Sequence, residues 1–473
     1  MLRVLLVGLM FVVCAAAASS ARAAGKPPFP APPPLPDDPR RGAGIQRTMT
    51  LLATSTPECR HRVRILFYGQ SITEQAWWKE VADDLRRRFP DADLEIANLA
   101  IGGYASQLLC RVAEHDLYPF YPDLLIFYVY GDHRRYEDIL RETRRRTTAE
   151  IVMQTDHVTA DADMTEETDP AKLTPANWSA WMNHAFLPSA AAQYGAMLLD
   201  QRADWGRYLQ ANRLPPKALL SDGTHLNDHG NYLMAELVKR QLVHNPKLPK
   251  EPWKDLVRTV EVGRDVAWQG GRLRLEFEGN RVDLVAAPGG DKPAAARVLI
   301  DGRKPSEFPG CYVITRPSGC VGIPLWPAVN RVTWQKPLLV EDWTVRITRI
   351  NDAADEFEFT VAGSKTGPDG TGNAKERFVS ASGRVVIDPE DWHMARSRAF
   401  TKQPVPAGFE IRWKVVEKCV DTYEPPKVDD PSREVLTTLA QGIPNAAHTL
   451  ELVADGPGVP PIRAIRVYRP PLK

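Results

Sequence analysis

A change in hydrophobic period divides this chain of 473 residues into two halves. From about residue 60 to 245, short apolar runs alternate with segments whose apolar residues recur every three or four positions, which is the pattern of strands alternating with helices. From about residue 250 onward, single apolar and polar residues alternate, as at Leu273, Leu275 and Phe277. That period of two is typical of half-buried strands. The length also favours two domains, so we expect an α/β domain followed by an all-β domain.

The first half predicts five strands joined by helices, with the strands at residues 62–69, 94–100, 123–130, 150–154 and 218–220. The run 123–130, DLLIFYVY, is almost entirely apolar, as expected for a strand buried on both faces. Residues 178–210 are predicted to be mostly helical. Alternating strands and helices form parallel βαβ units with right-handed crossovers. The prediction is a three-layer, flavodoxin-like sandwich of about five parallel strands, with ligands at their carboxyl ends.

The second half repeats the period of two around Trp343, Ile411 and Leu450, with Gly and Pro between these segments. This pattern predicts an all-β, sandwich-like domain. The domain boundaries that follow are a signal peptide at 1–23, a proline-rich linker or arm at 24–57, an α/β domain at 58–247 and a β-rich accessory domain at 248–473.

The N-terminus has the features of an export signal. Arg3 supplies positive charge, residues 5–18 are apolar, and the sequence Ala21-Arg22-Ala23 fits a cleavage site. The apolar run is short for a membrane span, and no other stretch predicts one. We therefore expect a secreted or periplasmic protein.

Charge and cysteine content exclude some classes of function. A net charge of +1 gives no general basic surface for nucleic acid. The cysteines lack zinc-ribbon spacing, although Cys311 and Cys320 could close a local disulfide loop in an oxidising compartment. His225 and His229 lie four residues apart without an H-E-x-x-H motif. No metal and no cofactor is expected.

The stretch YGQSITEQ, residues 68–75, follows the first predicted strand and places a serine at its carboxyl end. Ser71 and Glu74 fit the S-x-x-E capping box, in which both side chains satisfy free backbone donors of a helix. Ser71 is also a candidate nucleophile. That interpretation needs a base, a residue that orients the base, and donors for an oxyanion elsewhere in the chain.

Two further loops supply candidates for those roles. Asp222 and His225 lie three residues apart after the predicted fifth strand, where a carboxylate can orient an imidazole and stabilise its cation. Gly102 and Gly103 follow the second strand, and a glycine there lets backbone N–H groups approach an oxyanion. The alternatives are a turn aspartate with a surface histidine, and a glycine turn that reverses the chain.

Four stretches, GQSI, NLAIGGYAS, YGDH and SDGTH, resemble the ordered blocks of the SGNH hydrolases, the GDSL-type lipases and esterases. The resemblance covers about residues 60–245 and none of the β-rich half. It implies that Ser71 is the nucleophile, that His225 and Asp222 complete the triad, and that the N–H groups of Ser71 and Gly103 bind the oxyanion.

The sequence departs from the family pattern at two positions. Gln70 stands where the family has an aspartate before the serine. In the third block, Asp132 stands where the family has an asparagine that donates to the oxyanion, and His133 follows it. An ionised aspartate cannot donate a hydrogen bond unless its surroundings keep it protonated, so His133 is the candidate replacement donor.

These features predict an exported serine esterase that hydrolyses O-acyl esters, with O-acetyl groups on a polysaccharide as the expected substrate. Acyl-lipids and small soluble esters are alternative substrates. A different class of function is a glycan-binding protein that keeps the fold with impaired catalysis. The β domain is predicted either to contact the glycan or to act only as a packing module.

Overall fold

The computed structural model describes residues 29–250, 253, 255–289 and 294–473, so the predicted signal peptide at 1–23 lies outside the described residues. The first half contains a sheet of five parallel strands in the order β2-β1-β3-β4-β5. The strands are β1 (Arg62–Gly69), β2 (Asp93–Asn98), β3 (Leu124–Tyr128), β4 (Glu150–Gln154) and β5 (Met197–Leu199). This confirms the predicted α/β fold and flavodoxin-like strand order. The order reverses beside β1, where such sheets form a crevice at the carboxyl ends.

Helices accompany this sheet, and both of its faces are buried. The α-helices of the first half are α1 (Gln46–Thr54), α2 (Ser71–Glu74), α3 (Trp77–Arg88), α4 (Ser106–Val112), α5 (Leu117–Phe120), α6 (His133–Arg146), α7 (Trp178–Trp181), α8 (Leu187–Gln193), α9 (Gln201–Asn212) and α10 (Asp228–Lys239). Successive strand residues face opposite sides. In β1, Ile65 and Phe67 therefore join one hydrophobic cluster while Leu66 and Tyr68 join another.

The predicted fifth strand at 218–220 is wrong. Residues Pro216–Leu219 form a 3-10 helix, and Leu220 makes only an isolated bridge to Leu226. The fifth strand is Met197–Leu199, inside the segment predicted to be helical. Its three residues are too few to show a period, whereas the two prolines at 215 and 216 lack the backbone N–H that a strand ladder uses.

The proline-rich arm follows the surface of the α/β half and then enters a helix. The hydroxyl of Tyr208 donates to the carbonyl of Pro30 at 3.1 Å, and Arg240 donates to the carbonyl of Pro32 at 2.9 Å. Helix α1 lies inside the segment assigned to the arm, and its Met49 and Leu52 are buried. The arm is therefore held to the α/β half by the hydrogen bonds at Pro30 and Pro32 and by the buried face of α1.

The second half is mostly antiparallel β-structure, as predicted. A six-stranded sheet has the order β18-β8-β19-β7-β20-β6, a five-stranded sheet has the order β14-β13-β12-β17-β9, and β10-β11 and β15-β16 form two-stranded ribbons. The strands are β6 (Val257–Glu261), β7 (Arg272–Ala286), β8 (Ala296–Ile300), β9 (Tyr312–Ile314), β10 (Gly319–Cys320), β11 (Ile323–Pro327), β12 (Asp342–Ile350), β13 (Phe357–Gly363), β14 (Gly367–Asn373), β15 (Phe378–Val379), β16 (Val386–Ile387), β17 (Glu410–Glu417), β18 (Thr422–Tyr423), β19 (Leu436–Ala454) and β20 (Ile462–Tyr468). One helix, α11 (Met394–Thr401), interrupts them.

The two halves share a hydrophobic core. One cluster joins Tyr104 and Leu109 of the first half to Trp326 and Val329 of the second, whereas the buried residues of the six-stranded sheet form a cluster of their own. The five-stranded sheet therefore shares one hydrophobic cluster with the α/β half, whereas the six-stranded sheet does not. Within the described ranges, no helix has the length and apolar character that a membrane crossing requires.

The predicted Cys311–Cys320 disulfide is not formed. All cysteines of the described part of the chain are free thiols, and Cys311, Cys320 and Cys419 are buried. The thiol of Cys311 is instead a hydrogen-bonding neighbour of Cys419, and this contact, together with burial, raises the pKa of Cys419.

Candidate active site

Ser71 lies at the junction of β1 and α2, at the carboxyl edge of the parallel sheet. It is the first residue of α2, after the N-cap residue Gln70, and no side chain caps this helix. The capping-box interpretation of Ser71 and Glu74 is therefore wrong. Gly69 permits the tight exit from β1, because a Cβ at this residue would lie 1.9 Å from the carbonyl oxygen of Tyr128.

Ser71, His225 and Asp222 form a continuous hydrogen-bonded chain. Nε2 of His225 lies 3.0 Å from Oγ of Ser71, and Nδ1 of His225 lies 2.8 Å from Oδ2 of Asp222. Oδ1 of Asp222 accepts the backbone N–H groups of Thr224 at 2.7 Å and His225 at 2.8 Å. The carboxylate thus fixes both the imidazole ring and the backbone turn that carries it, which suits a general base beside a nucleophile.

Asp222 is an exposed carboxylate whose pKa is lowered further by its hydrogen bonds. Hydrogen bonds from the backbone and the imidazole of His225 lower the pKa of Asp222 to about 2. The side chains of His225 and Asp222 are 41% and 57% exposed. Water therefore screens their attraction, and the hydrogen bonds extend to lower pH the range in which this exposed carboxylate is ionised.

Two residues outside the predicted triad, Gln75 and His157, hold the histidine loop, residues 220–227. The side-chain amide of Gln75 donates to the carbonyl of Leu226 at 2.7 Å and accepts the N–H of the same residue at 3.0 Å. The ring nitrogen Nε2 of buried His157 lies 2.8 Å from the carbonyl oxygen of Thr224. No local sequence pattern signals this contact between His157 and a loop 67 residues away.

The glycine loop, residues 99–103, lies beside Ser71. The N–H of Leu99 donates to the carbonyl of Phe67 at 3.0 Å and that of Ile101 to Gly69 at 3.0 Å, which continues the edge of the sheet. Gly103 has a φ of +77°, a conformation that favours glycine. Within the described part of the chain, the backbone N–H groups of Ser71 and Gly103 donate to no acceptor. They are available to a ligand.

Asp132 and His133 have other contacts. Oδ1 of Asp132 accepts the N–H of Arg134 at 2.8 Å and so caps helix α6. The ring of His133 packs edge-on against Trp181 and Phe186. Neither residue lines the cleft that contains Ser71. The structure therefore does not bring these two predicted oxyanion residues to the nucleophile.

The cleft above Ser71 has a volume of about 750 Å³, and both halves of the chain line it. The first half contributes Ser71, His225 and the glycine loop. The second half contributes β11 and α11, through the side chains of Ile323, Leu325, Trp326, Arg396, Ala399 and Phe400. Phe400 is 67% exposed and Leu325 is 57% exposed, so this wall presents apolar surface to any ligand of the cleft.

The remaining candidates lie elsewhere. The ring of His229 packs on Phe29, and its Nε2 lies 2.6 Å from the hydroxyl oxygen of Tyr208. No group of three or more His, Cys, Asp or Glu residues in the described ranges could hold a metal ion.

Comparisons with known proteins are limited to solved structures. No family model matches this chain, and no curated protein matches it. A two-domain esterase active on acetylated mannans is 14% identical, over 92% of this chain and 99% of that one, with a TM-score of 0.35. An acetylxylan esterase from Geobacillus stearothermophilus is 18% identical, over 42% of this chain and 100% of that one, with a TM-score of 0.33. A GDSL-like lipase structure from Parabacteroides merdae is 16% identical, over 39% of this chain and 97% of that one, with a TM-score of 0.32.

All three structures are described as esterases or lipases. The first extends over both halves of this chain, and the other two cover about two fifths of it. At such identities and TM-scores, a likeness concerns the general architecture alone and not the reaction or the substrate.

Proposed function

We propose that this protein is a serine ester hydrolase of the SGNH type that removes O-acyl groups, with O-acetyl groups of a polysaccharide as its substrate. The observation that carries the proposal is the chain of contacts from Ser71 Oγ to His225 Nε2 at 3.0 Å and from His225 Nδ1 to Asp222 Oδ2 at 2.8 Å. A serine needs an adjacent base to become a nucleophile, and the base needs an orienting group. The chain has both.

The reaction proceeds in two stages, acylation of Ser71 and hydrolysis of the acyl-enzyme. His225 Nε2 takes the hydroxyl proton as Ser71 Oγ bonds to the acyl carbon, and the N–H groups of Ser71 and Gly103 stabilise the oxyanion. The carbon–oxygen bond to the alcohol then breaks, and His225 returns the proton to the leaving oxygen. Water repeats the same steps on the acyl-enzyme and releases the carboxylic acid. Asp222 stabilises the imidazolium in both, and no metal or cofactor takes part.

The form of the cleft favours a glycan ester over a small one. The cleft is open, is built from two halves of the chain, and carries exposed apolar side chains on the wall from the second half. Exposed apolar surface beside a site is typical of a ligand-contacting face. We infer that this wall contacts the sugar chain that bears the acyl group. Export through the signal at 1–23 would bring the protein to extracellular glycans.

The test is covalent labelling with a fluorophosphonate probe together with acetate release from acetylated xylan and mannan. Ser71→Ala abolishes both signals, whereas Ser364→Ala, an exposed serine of the second half, leaves both unchanged. Asp222→Asn lowers kcat by about 10,000-fold, the loss typical of a triad histidine held in the wrong tautomer. Activity retained in Ser71→Ala contradicts the triad.

The alternatives have distinct outcomes. Retained glycan binding without labelling or acetate release indicates a binding protein with the same fold. If the protein hydrolyses small or lipid esters but releases no acetate from either polymer, it is a serine esterase as proposed, and the proposed polysaccharide substrate is wrong.

A further inference from the structure

The glycine loop is held from two sides by the two halves of the chain. Three of its backbone N–H groups are bound within the first half, where Leu99 donates to Phe67, Ile101 donates to Gly69, and the carboxylate of Glu74 accepts the N–H of Gly102. Its carbonyl oxygens are bound by side chains of the second half. Those donors are the guanidinium of Arg316 to Leu99 at 3.0 Å, the indole of Trp326 to Gly102 at 2.6 Å and the guanidinium of Arg396 to Gly103 at 2.9 Å.

The contact of Trp326 acts on the peptide group that matters for the reaction. The carbonyl of Gly102 and the N–H of Gly103 belong to the same peptide group. That group is planar, and it is trans because the described chain contains no cis peptide bond. Its C=O and N–H therefore point in opposite directions. An indole that fixes the carbonyl oxygen also fixes the direction of the N–H, which points away from the indole nitrogen.

The surroundings make this contact rigid and dependent on glycine. Trp326 is only 4% exposed, and its ring packs on Tyr104 and His393. A Cβ on Gly103 would lie 2.8 Å from the indole ring, so only glycine allows this approach. A hydrogen bond to the carbonyl also polarises the amide, which strengthens its N–H as a donor. Arg396 lies over the same indole at 5.5 Å and holds the next peptide group.

We propose that Trp326 of the β-rich half is a positioning residue for catalysis, which orients the Gly103 N–H toward the oxyanion, and that Arg396 supports it. This rests on the proposed function and assigns the second half a part in the chemical step. The second half is then neither a packing module alone nor a glycan-contacting surface alone.

The test is steady-state kinetics of the full-length protein with p-nitrophenyl acetate, a substrate too small to report glycan contacts. Trp326→Phe keeps an aromatic ring and removes the donor. Because the contact acts in the transition state, kcat and kcat/KM fall together by about 10- to 100-fold with little change in KM. This loss is smaller than the 100- to 1,000-fold cost of removing a whole oxyanion donor. The pH profile keeps its shape, since His225 and Asp222 are untouched.

Trp413→Phe is the matched control. Trp413 is a buried tryptophan of β17 whose indole N–H has no acceptor within the described residues, so kcat is unchanged. A wild-type kcat in Trp326→Phe overturns the inference. If that variant does not fold, Arg396→Ala decides: kcat falls and Arg396→Lys recovers part of it, whereas a wild-type kcat in Arg396→Ala overturns the inference. Failure of the proposed function is distinct, because the unmodified protein then shows no Ser71-dependent hydrolysis.

Discussion

At the scale of single residues, the site depends on groups that hold the catalytic candidates as much as on the candidates themselves. Ser71 and His225 lie on segments separated by 154 residues, and Gln75 joins these segments through both the N–H and the carbonyl of Leu226. This bidentate contact lies one residue from His225. It therefore limits how far the imidazole can move relative to Ser71.

Gln75→Ala tests this role of the amide. Without the two hydrogen bonds, the histidine loop gains freedom and Nε2 of His225 loses its alignment with Ser71, so we expect kcat to fall by up to about 100-fold, as for small misplacements of reacting groups. Labelling by a fluorophosphonate slows in parallel. The control is Gln193→Ala, an exposed glutamine of α8 whose amide donates to Glu137 at 3.4 Å, away from the histidine loop. Equal kcat values for the two variants would contradict the positioning role.

The sequence predicted those site residues whose type and position along the chain both indicate a role. Ser71, Asp222 and His225 were predicted from residue types and spacing, and the structure brings them within hydrogen-bonding distance. Their catalytic roles stay predictions. Trp326 and Arg396 could not be predicted, because their contacts with Gly102 and Gly103 span 224 and 293 residues and depend on how two halves pack.

At the scale of elements, segments with a strong apolar pattern were predicted better than short ones. Strand β3 was predicted from its almost continuous apolar run, whereas β5 is the three-residue segment 197–199 and the fifth strand was predicted at 218–220. The 3-10 helix at Pro216–Leu219 shows why apolar character alone misleads: Leu219 is fully buried without belonging to a strand. Helix α11, which forms part of the cleft, lies in a half whose pattern indicated only strands.

Helix α1 gives an element-scale prediction of pH dependence. Two N–H groups of its first turn, from Arg47 and Thr48, donate to the buried carboxyl of Glu150 in β4 at 2.9 and 2.7 Å. Burial raises the pKa of Glu150 from 4.5 to about 7, and the nearby charge of Arg47 opposes that rise. Between these two values the folded state binds a proton that the unfolded state has released. Stability therefore falls as pH rises from about 4.5 to about 7.

The measurement is chemical unfolding at pH 5 and pH 7.5. A shift of this size changes the free energy of unfolding by up to about 3 kcal/mol. In Glu150→Gln this contribution disappears, so the difference in stability between the two pH values changes by an amount of that order. The exposed control Glu80→Gln retains the full difference. An unchanged pH difference in Glu150→Gln would show that Glu150 is ionised throughout this range.

At the scale of the whole molecule, the halves that differ in sequence pattern do not form independent bodies. The predicted boundary near residue 247 follows the change of period, but the core crosses it: Tyr104 donates a hydrogen bond to Asn330 at 2.9 Å inside a shared hydrophobic cluster. The hydrophobic period of a segment predicts whether it forms a strand or a helix, but it does not predict which strands and helices pack together. The boundary is therefore a change of architecture rather than a division of the core.

An ion pair between the halves tests whether they unfold as one unit. Asp116 is buried and pairs with Arg316, whose guanidinium lies 2.9 Å from Oδ1 of Asp116 and also holds the glycine loop. Burial raises the pKa of Asp116 and the charge of Arg316 opposes that rise, so burying this carboxylate has a desolvation cost that Arg316 partly offsets. Removing one partner leaves a buried charge uncompensated.

Asp116→Asn should therefore lower the free energy of unfolding by roughly 3 kcal/mol. Because the pair joins both halves, tryptophan fluorescence and far-ultraviolet circular dichroism should follow a single transition that shifts as a whole. Asp342→Asn, which breaks the exposed pair with Lys414 at 3.6 Å, should cost less than about 1 kcal/mol. Two separate transitions in Asp116→Asn would mean that the halves are stable alone. The orientation of the Gly103 N–H would then depend on docking rather than on folding.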